Sequence, residues 1–484
     1  MPTEIMSLKP EKIWKHFSDL LKIPHCSGHE QALADHICRL AASWNLEHQK
    51  DGVGNVLVRL PATSGHRAAP GVILQAHLDM VCEKNSDIHH DFQRDPIQPV
   101  IDGGWVKASG TSLGADNGIG VATCLAVMED RSLVHGLVEC LFTVDEETGL
   151  TGAYQLKKGL LHGKILINLD SEDEGTFTIG CAGGADSELT LPVQRKERKA
   201  RNLLMVNLTG LRGGHSGLDI NLGRGNAIKL LARLLAEAAS KFKFELVSFN
   251  GGSKRNAISR EAGAILAIGP TQQKGLSQQL KRSFEAIKFE YRVTEPDMKM
   301  EIKKSQESGY PLTADSQSRL LNLILTLPHG VVSLHPEISG LVETSSNLAI
   351  VETQGKKVKI TCNTRSSVGS ALEAVRLVIK ANATLAGARI VQLKGYPAWT
   401  PNLKSPLLQR MIDLYRHLFE KEPEVKAVHA GLECGIIGEK YPDLDMISIG
   451  PTIRYPHSPE EKVNIDSVEK FWRLVVEALK ALAE

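Results

Sequence analysis

The sequence predicts an α/β protein in which a mostly parallel sheet, layered with helices, is interrupted by an inserted α+β domain. Three observations carry this prediction. Apolar strands and amphipathic helices alternate as far as Leu169. After Gly183-Gly184 the texture changes to strands grouped with helices, and from about Gly395 it reverts. At 484 residues the chain also exceeds the roughly 250–300 residues that one core serves.

Taken in order, residues 10–45 read as helical. Ile13, Phe17, Leu20 and Leu21 recur at helical spacing, and Leu33, Ile37 and Leu40 do so again. Residues 53–60 read as a strand, 71–76 as an apolar run, 119–128 as a helix, and 138–144 and 165–169 as strands. In the insertion, strands at 203–208, 242–249 and 262–268 surround a helix at 227–239 and precede one at 276–289. A helix at 316–327, strands at 348–352 and 358–363 and a helix at 371–383 follow. Helices at 406–419 and 468–482 flank a short strand at 446–449. The expected division is 1–184 with 394–484 as one domain and 185–393 as the insertion.

The composition excludes several classes. A net charge of +1 gives no reason to expect a nucleic-acid partner, and the stretch from Arg195 to Arg201, interrupted by Glu197, reads as a solvated loop or hairpin. No apolar run approaches the ~20 residues of a membrane span, and the stretch 230–239 is broken by Arg233 and Glu237. Residues 1–17 mix charged and apolar residues without an apolar core or cleavage site, so no secretory leader is expected. The eight cysteines form no C-x-x-C pair and sit mostly in apolar or helical stretches. That pattern predicts reduced, buried thiols in a cytoplasmic protein rather than a disulfide framework.

The candidate chemistry lies at strand ends. The run 72–74 leads to His77 and Asp79, and 141–144 leads to Asp145, Glu146 and Glu147. The run 165–167 leads to Asp170, and 446–449 leads past Gly450-Pro451 to His457. Asp116 stands just before the helix at 119–128. Ligands of an open α/β sheet bind at the carboxyl ends of its strands, so these residues are expected on one rim. Singly each has a plainer reading: a hydrogen-bonded strand end for His77-Leu-Asp79, a solvated turn for Glu146-Glu147, a helix cap for Asp116. Together, two histidines and three carboxylates suit a divalent ion of zinc type. So many anionic groups suit a pair of ions sharing one carboxylate better than a single ion.

At these residues the sequence resembles the dinuclear-zinc exopeptidases, the family of carnosinases, glutamate-releasing carboxypeptidases and aminoacylases. The segments that carry the resemblance are Gln75-Ala-His-Leu-Asp-Met-Val81, Leu113-Gly-Ala-Asp-Asn-Gly-Ile-Gly120, Gly180-Cys-Ala-Gly-Gly184, Gly213-Gly-His-Ser-Gly217, His429-Ala-Gly-Leu-Glu-Cys-Gly435 and Pro456-His-Ser-Pro459. They span the chain, insertion included, and look most like the branch that cleaves Xaa-His dipeptides. The resemblance implies a cytoplasmic metallodipeptidase for unblocked dipeptides, with carnosine among its substrates. It implies two divalent ions per subunit, zinc in the first place, with Co²⁺ or Mn²⁺ compatible with the same donors.

The resemblance also implies roles. His77 would bind one ion and His457 the other, Asp116 would bridge them, and Glu147 and Asp170 would complete one shell each. Glu146 would be the general base, Asp79 would orient His77 through its far ring nitrogen, and a cis peptide would follow Asp116. The insertion would be a lid and homodimerisation domain. Within it His215 would stabilise the oxyanion, while Asn256 and Arg365 would hold the substrate backbone and carboxylate. Two departures stand out. Ser259 in Arg255-Asn-Ala-Ile-Ser259 replaces an expected proline, which frees φ there, and Asp145-Glu-Glu-Thr keeps both glutamates. The rival readings are an N-acyl-amino-acid deacylase on the same scaffold and a metal-binding regulatory protein without catalysis. The intact Glu146 speaks against the second.

Overall fold

Val72–His77 and Val138–Thr143 are buried at all six positions each, as strands covered on both faces must be. In the computed structural model, which describes residues 4–197, 202–307 and 309–484, they lie side by side and parallel in an eight-stranded sheet. The sheet order is Glu47–Lys50, Val56–Leu60, Val138–Thr143, Val72–His77, Ile165–Asn168, Asp445–Ser448, Thr176–Cys181, Glu424–Val428. The four central strands run parallel, and antiparallel strands flank them. The fold is thus α/β with a parallel core sheet. The parallel register brings the carboxyl ends of the strands that precede Asp79, Glu146, Asp170 and His457 to one edge.

The chain divides into two units. Unit 1 comprises Met1–Gly180, Pro401–Ala427 and Leu432–Glu484, and unit 2 comprises Cys181–Thr400 with Val428–Gly431. The helix Ala115–Glu129 is buried on nearly every side in the core of unit 1. Gly120 permits this closeness, since a Cβ there would lie 2.8 Å from the carbonyl of Leu169. Unit 2 has a nine-stranded sheet, antiparallel among the described residues, that shares a core with Ala227–Ala239, Pro270–Glu290, Ala314–Thr326 and Gly369–Leu385. Asn226 caps the first of these helices, its side chain accepting from the Lys229 N–H.

Several expectations shift. The helical stretch 10–45 is two helices, Glu11–Leu20 and Gln31–Ser43, separated by a segment containing Pro24 and Gly28. The strand expected from residue 53 starts at Val56, because Asp51 Oδ1 gathers the N–H groups of Val53, Gly54 and Asn55 into a turn. Of the basic stretch 195–201, residues 198–201 lie outside the described residues. Arg195 itself donates to main-chain carbonyls of Val247, Tyr310 and Gly355. Among the described residues no helix is long and apolar enough to cross a membrane.

The cysteine expectation is overturned at one pair: Cys26 and Cys82 form a disulfide. The sequence hides it because tertiary pairing makes it. Cys26 bridges to Met80, and the Met80 N–H donates to the His25 carbonyl. Cys38, Cys124, Cys140, Cys181, Cys362 and Cys434 are free thiols. The bond closes a loop across a sequence separation of 56, which in a chain-entropy account stabilises by about 4 kcal/mol. Urea denaturation of the protein with and without a dithiol reductant should therefore show a lower midpoint for the reduced form. Coincident curves would show that the bond adds no stability.

Candidate metal centre

His77 closes the strand Val72–His77 and is buried. Its Nε2 lies 3.1 Å from Asp116 Oδ1 and 3.2 Å from Asp170 Oδ1. His457 Nε2 lies 3.2 Å from Asp116 Oδ2 and 3.0 Å from Glu147 Oε2. Two groups result, His77–Asp116–Asp170 and Asp116–Glu147–His457, and each takes one oxygen of Asp116. The five residues expected as ligands are thus brought together from five separate segments.

Main-chain geometry sets this up. Gly114 at φ 74° turns the chain ahead of the helix, and Asp116 and Asn117 keep non-helical dihedrals. The Asp116–Asn117 peptide is cis. Asp116 is therefore not the helix cap; Gly114 occupies that position. The Asn117 side chain donates to Asp170 Oδ1 in a short hydrogen bond. Asp79 lies beyond the end of its strand. His77 Nδ1 is 3.0 Å from the Asp79 main-chain carbonyl and 3.4 Å from its carboxylate. That carboxylate instead accepts from the N–H groups of Glu146 and Glu147 and from the Ser27 hydroxyl, at 2.8–3.1 Å. Asp79 thus holds the glutamate turn as well as His77.

Glu146 also falls within reach of His77 and Glu147, in a third possible ligand group. Glu147 is the one in direct contact with His457, whereas Glu146 has no ion pair within 4.0 Å among the described residues.

The donor set fits a metal pair. A tetrahedral ion with bonds of ~2.0–2.1 Å has ligand edges of about 3.3 Å, close to the separations found. Glu147 Oε1 is buried without a hydrogen-bond partner, as an atom held for an ion would be. Charge agrees. The Asp116 and Glu147 carboxylates push His457 up to about 11. Burial would lower His77, but Asp170, Asp116 and Asp79 raise it well above its ordinary value. Burial lifts Glu172 to about 8, with Asp116 and Asp170 adding to it. Burial also lifts Glu146 well above the carboxylate range, with Asp170, Glu433 and Glu147 contributing. So dense a set of buried carboxylates calls for cations.

The sequence reading missed several supports. Glu433 is fully buried and accepts from Gln75 Nε2 and the Thr143 hydroxyl, both at 2.7 Å. Glu461 accepts four main-chain N–H groups around Asp116. Both lie in or beside motifs already singled out, and their burial is what the sequence could not show.

In unit 2, His215 Nδ1 accepts from the N–H groups of Gly217 and Leu218, at 3.2 and 3.1 Å. The ring proton therefore sits on Nε2, which is left a donor. Burial lowers the His215 pKa, with Arg365 adding. Arg365 is buried and donates to Tyr396 Oη at 2.8 Å, Ser216 Oγ at 3.3 Å and Asn363 Oδ1 at 3.2 Å. Among the described residues it has no carboxylate partner. Asn256 is exposed, and its carbonyl accepts from the Ser216 N–H at 2.8 Å. Ser259, at the expected proline, is buried, and its hydroxyl donates to the Glu261 carbonyl.

Comparison with known proteins gives a consistent picture. The pattern of Peptidase family M20/M25/M40 matches residues 73–481. The chain is 42% identical over 481 residues to the cytosol non-specific dipeptidase of Escherichia coli (strain K12), covering 99% of each. It is similar to the crystal structure of aminoacylhistidine dipeptidase from Vibrio alginolyticus, with a TM-score of 0.92 and 43% identity over 99% of this chain and 98% of that one. An aminopeptidase from Bacillus cereus shares the fold at a TM-score of 0.57 and 15% identity, over 99% of this chain and 100% of that one.

Proposed function

Because the chain belongs to peptidase family M20/M25/M40, we propose that it hydrolyses unblocked dipeptides with the aid of two divalent ions, zinc in the first place. It is a hydrolase of peptide bonds, as its close relatives are by name. The observation that carries the proposal is the pair of three-residue groups joined through Asp116. His77 and Asp170 would hold one ion, Glu147 and His457 the other, and Asp116 both. When bound, such a pair acidifies a water and polarises an amide carbonyl.

The chain's own residues supply the rest. Glu146 would take a proton from the attacking water and return it to the leaving amine. Asp79 holds the Glu146–Glu147 turn by its main-chain N–H groups, which fixes where that carboxyl stands. In unit 2 the guanidinium of Arg365, which has no carboxylate partner among the described residues, would receive the substrate carboxylate in a two-pronged hydrogen bond. His215 Nε2, a donor by the argument above, would serve the oxyanion, and Asn256 the substrate backbone.

We assign Xaa-His dipeptides, carnosine included, to its substrates; the aminoacylhistidine dipeptidase of Vibrio alginolyticus supports that choice. Unit 2 would act as a lid and pair with a second copy of the chain, and the exposed apolar side chains Leu377, Val378 and Leu385 on the helix Gly369–Leu385 support such a partner. A cytosolic setting rests on the name of the Escherichia coli relative, since the Cys26–Cys82 bond removes the argument from reduced thiols.

Stripping the protein with a chelator should abolish hydrolysis of a free Xaa-His dipeptide, and added Zn²⁺ should restore it. The N-acetylated dipeptide should be cleaved about tenfold or more slowly than the free one. Full activity in excess chelator would refute the metal reading, and preference for the acetylated form would make the protein a deacylase.

A further inference from the structure

Glu461 is 2% exposed, yet its partners are all main-chain groups of a distant segment. Oε2 accepts from the N–H groups of Leu113 at 2.7 Å and Gly114 at 2.9 Å. Oε1 accepts from those of Ala115 at 2.8 Å and Asp116 at 3.2 Å. Four consecutive N–H groups converge on one carboxylate, an anion nest filled by the protein's own side chain. The Asp116 side chain projects from the last residue of that nest.

The other end of Glu461 is fixed as firmly. Its N–H donates to the Ser458 carbonyl, and the Ser458 hydroxyl donates to the Tyr455 carbonyl at 2.8 Å, closing a turn around His457. The next residues, Lys462–Asn464, pair with Trp105–Ala108 and with Ile453–Arg454. One side chain therefore ties the loop that bears His457 to the loop that bears Asp116. The ring and carboxylate so joined stand 3.2 Å apart.

We infer that Glu461 is a positioning residue for the metal centre, setting Asp116 against His457 by holding the nest at Leu113–Asp116. The role rests on the metal-pair reading proposed above. Glu461 touches neither ion nor substrate in this account; it acts through Asp116. It bears most on the Asp116–Glu147–His457 group, because only that group draws a ligand from each of the two loops that Glu461 joins. His77 and Asp170 come from strand ends that the nest does not reach.

The test is isothermal titration of the chelator-stripped protein with Zn²⁺, alongside dipeptide kinetics and thermal melting. In Glu461→Gln one carboxylate oxygen becomes an NH₂ that confronts two N–H donors. One of the two ions should bind about 10–100-fold more weakly, the loss typical of a partner that orients a ligand. The other ion shares Asp116 but takes its remaining ligands, His77 and Asp170, from elsewhere, so it should be weakened clearly less. At limiting zinc kcat should fall, with KM nearly unchanged, and excess zinc should restore much of it. Glu461→Asp keeps the charge but withdraws it by about 1.5 Å, and it should show the same selective weakening if the Gln variant does not fold. Wild-type affinity for both ions in a variant that only melts earlier would overturn the inference and leave the metal reading intact. A wild-type protein that takes up no zinc would overturn both.

Discussion

Replacing Glu146 by Gln should lower kcat about 10²–10⁴-fold, the range that a general base contributes, and leave two ions bound. The substitution is isosteric and spares the main-chain N–H that Asp79 accepts at 2.9 Å, so the turn should keep its shape. What is lost is a carboxyl that burial and three neighbouring acids hold above its ordinary range. Turnover and metal content measured on one preparation decide the matter. Loss of an ion together with activity would make Glu146 a ligand and Glu147 the base, reversing the assignment drawn from the 3.0 Å contact between Glu147 and His457.

Asp116→Ala should be harsher. Each of its oxygens serves a different group, so one substitution removes a donor from both. Metal content by mass spectrometry should fall from two ions per chain to well below one, and hydrolysis should drop to background. The loss should exceed the 10–100-fold typical of partners that merely orient a ligand. His457→Ala is the contrast, since it belongs to one group and should cost one ion. Equal losses in the two variants would refute the idea that Asp116 is shared.

How much of this was legible depended on where the signal sits. The strands leading to His77, Glu146 and Asp170 are short apolar runs ending in ionisable residues, so both the sheet and its rim could be read from them. The grouping of His457 with Asp116 came from strand ends plus resemblance, across a separation of 341 residues. Other features carried no local signature. The strand Lys299–Lys304 is a charged edge strand with little burial, so no apolar alternation announces it. The strand Gly183–Pro192 begins with glycines and polar residues that looked like a boundary. The Cys26–Cys82 bond and the Glu461 nest depend on pairings between distant segments. A glutamate beside another glutamate, as at Glu460-Glu461, is ordinarily a solvated turn.

The interrupted layout of unit 1 also has a bearing on biosynthesis. At roughly 5–20 residues per second, His457 leaves the ribosome about 20–70 s after Asp116, given the 341 residues between them. Throughout that interval the growing polypeptide lacks a ligand of one group and the clamp of the nest. On the two-ion reading proposed above, a nascent chain would therefore be inert toward the peptides around it, and a product truncated before His457 should show no hydrolysis.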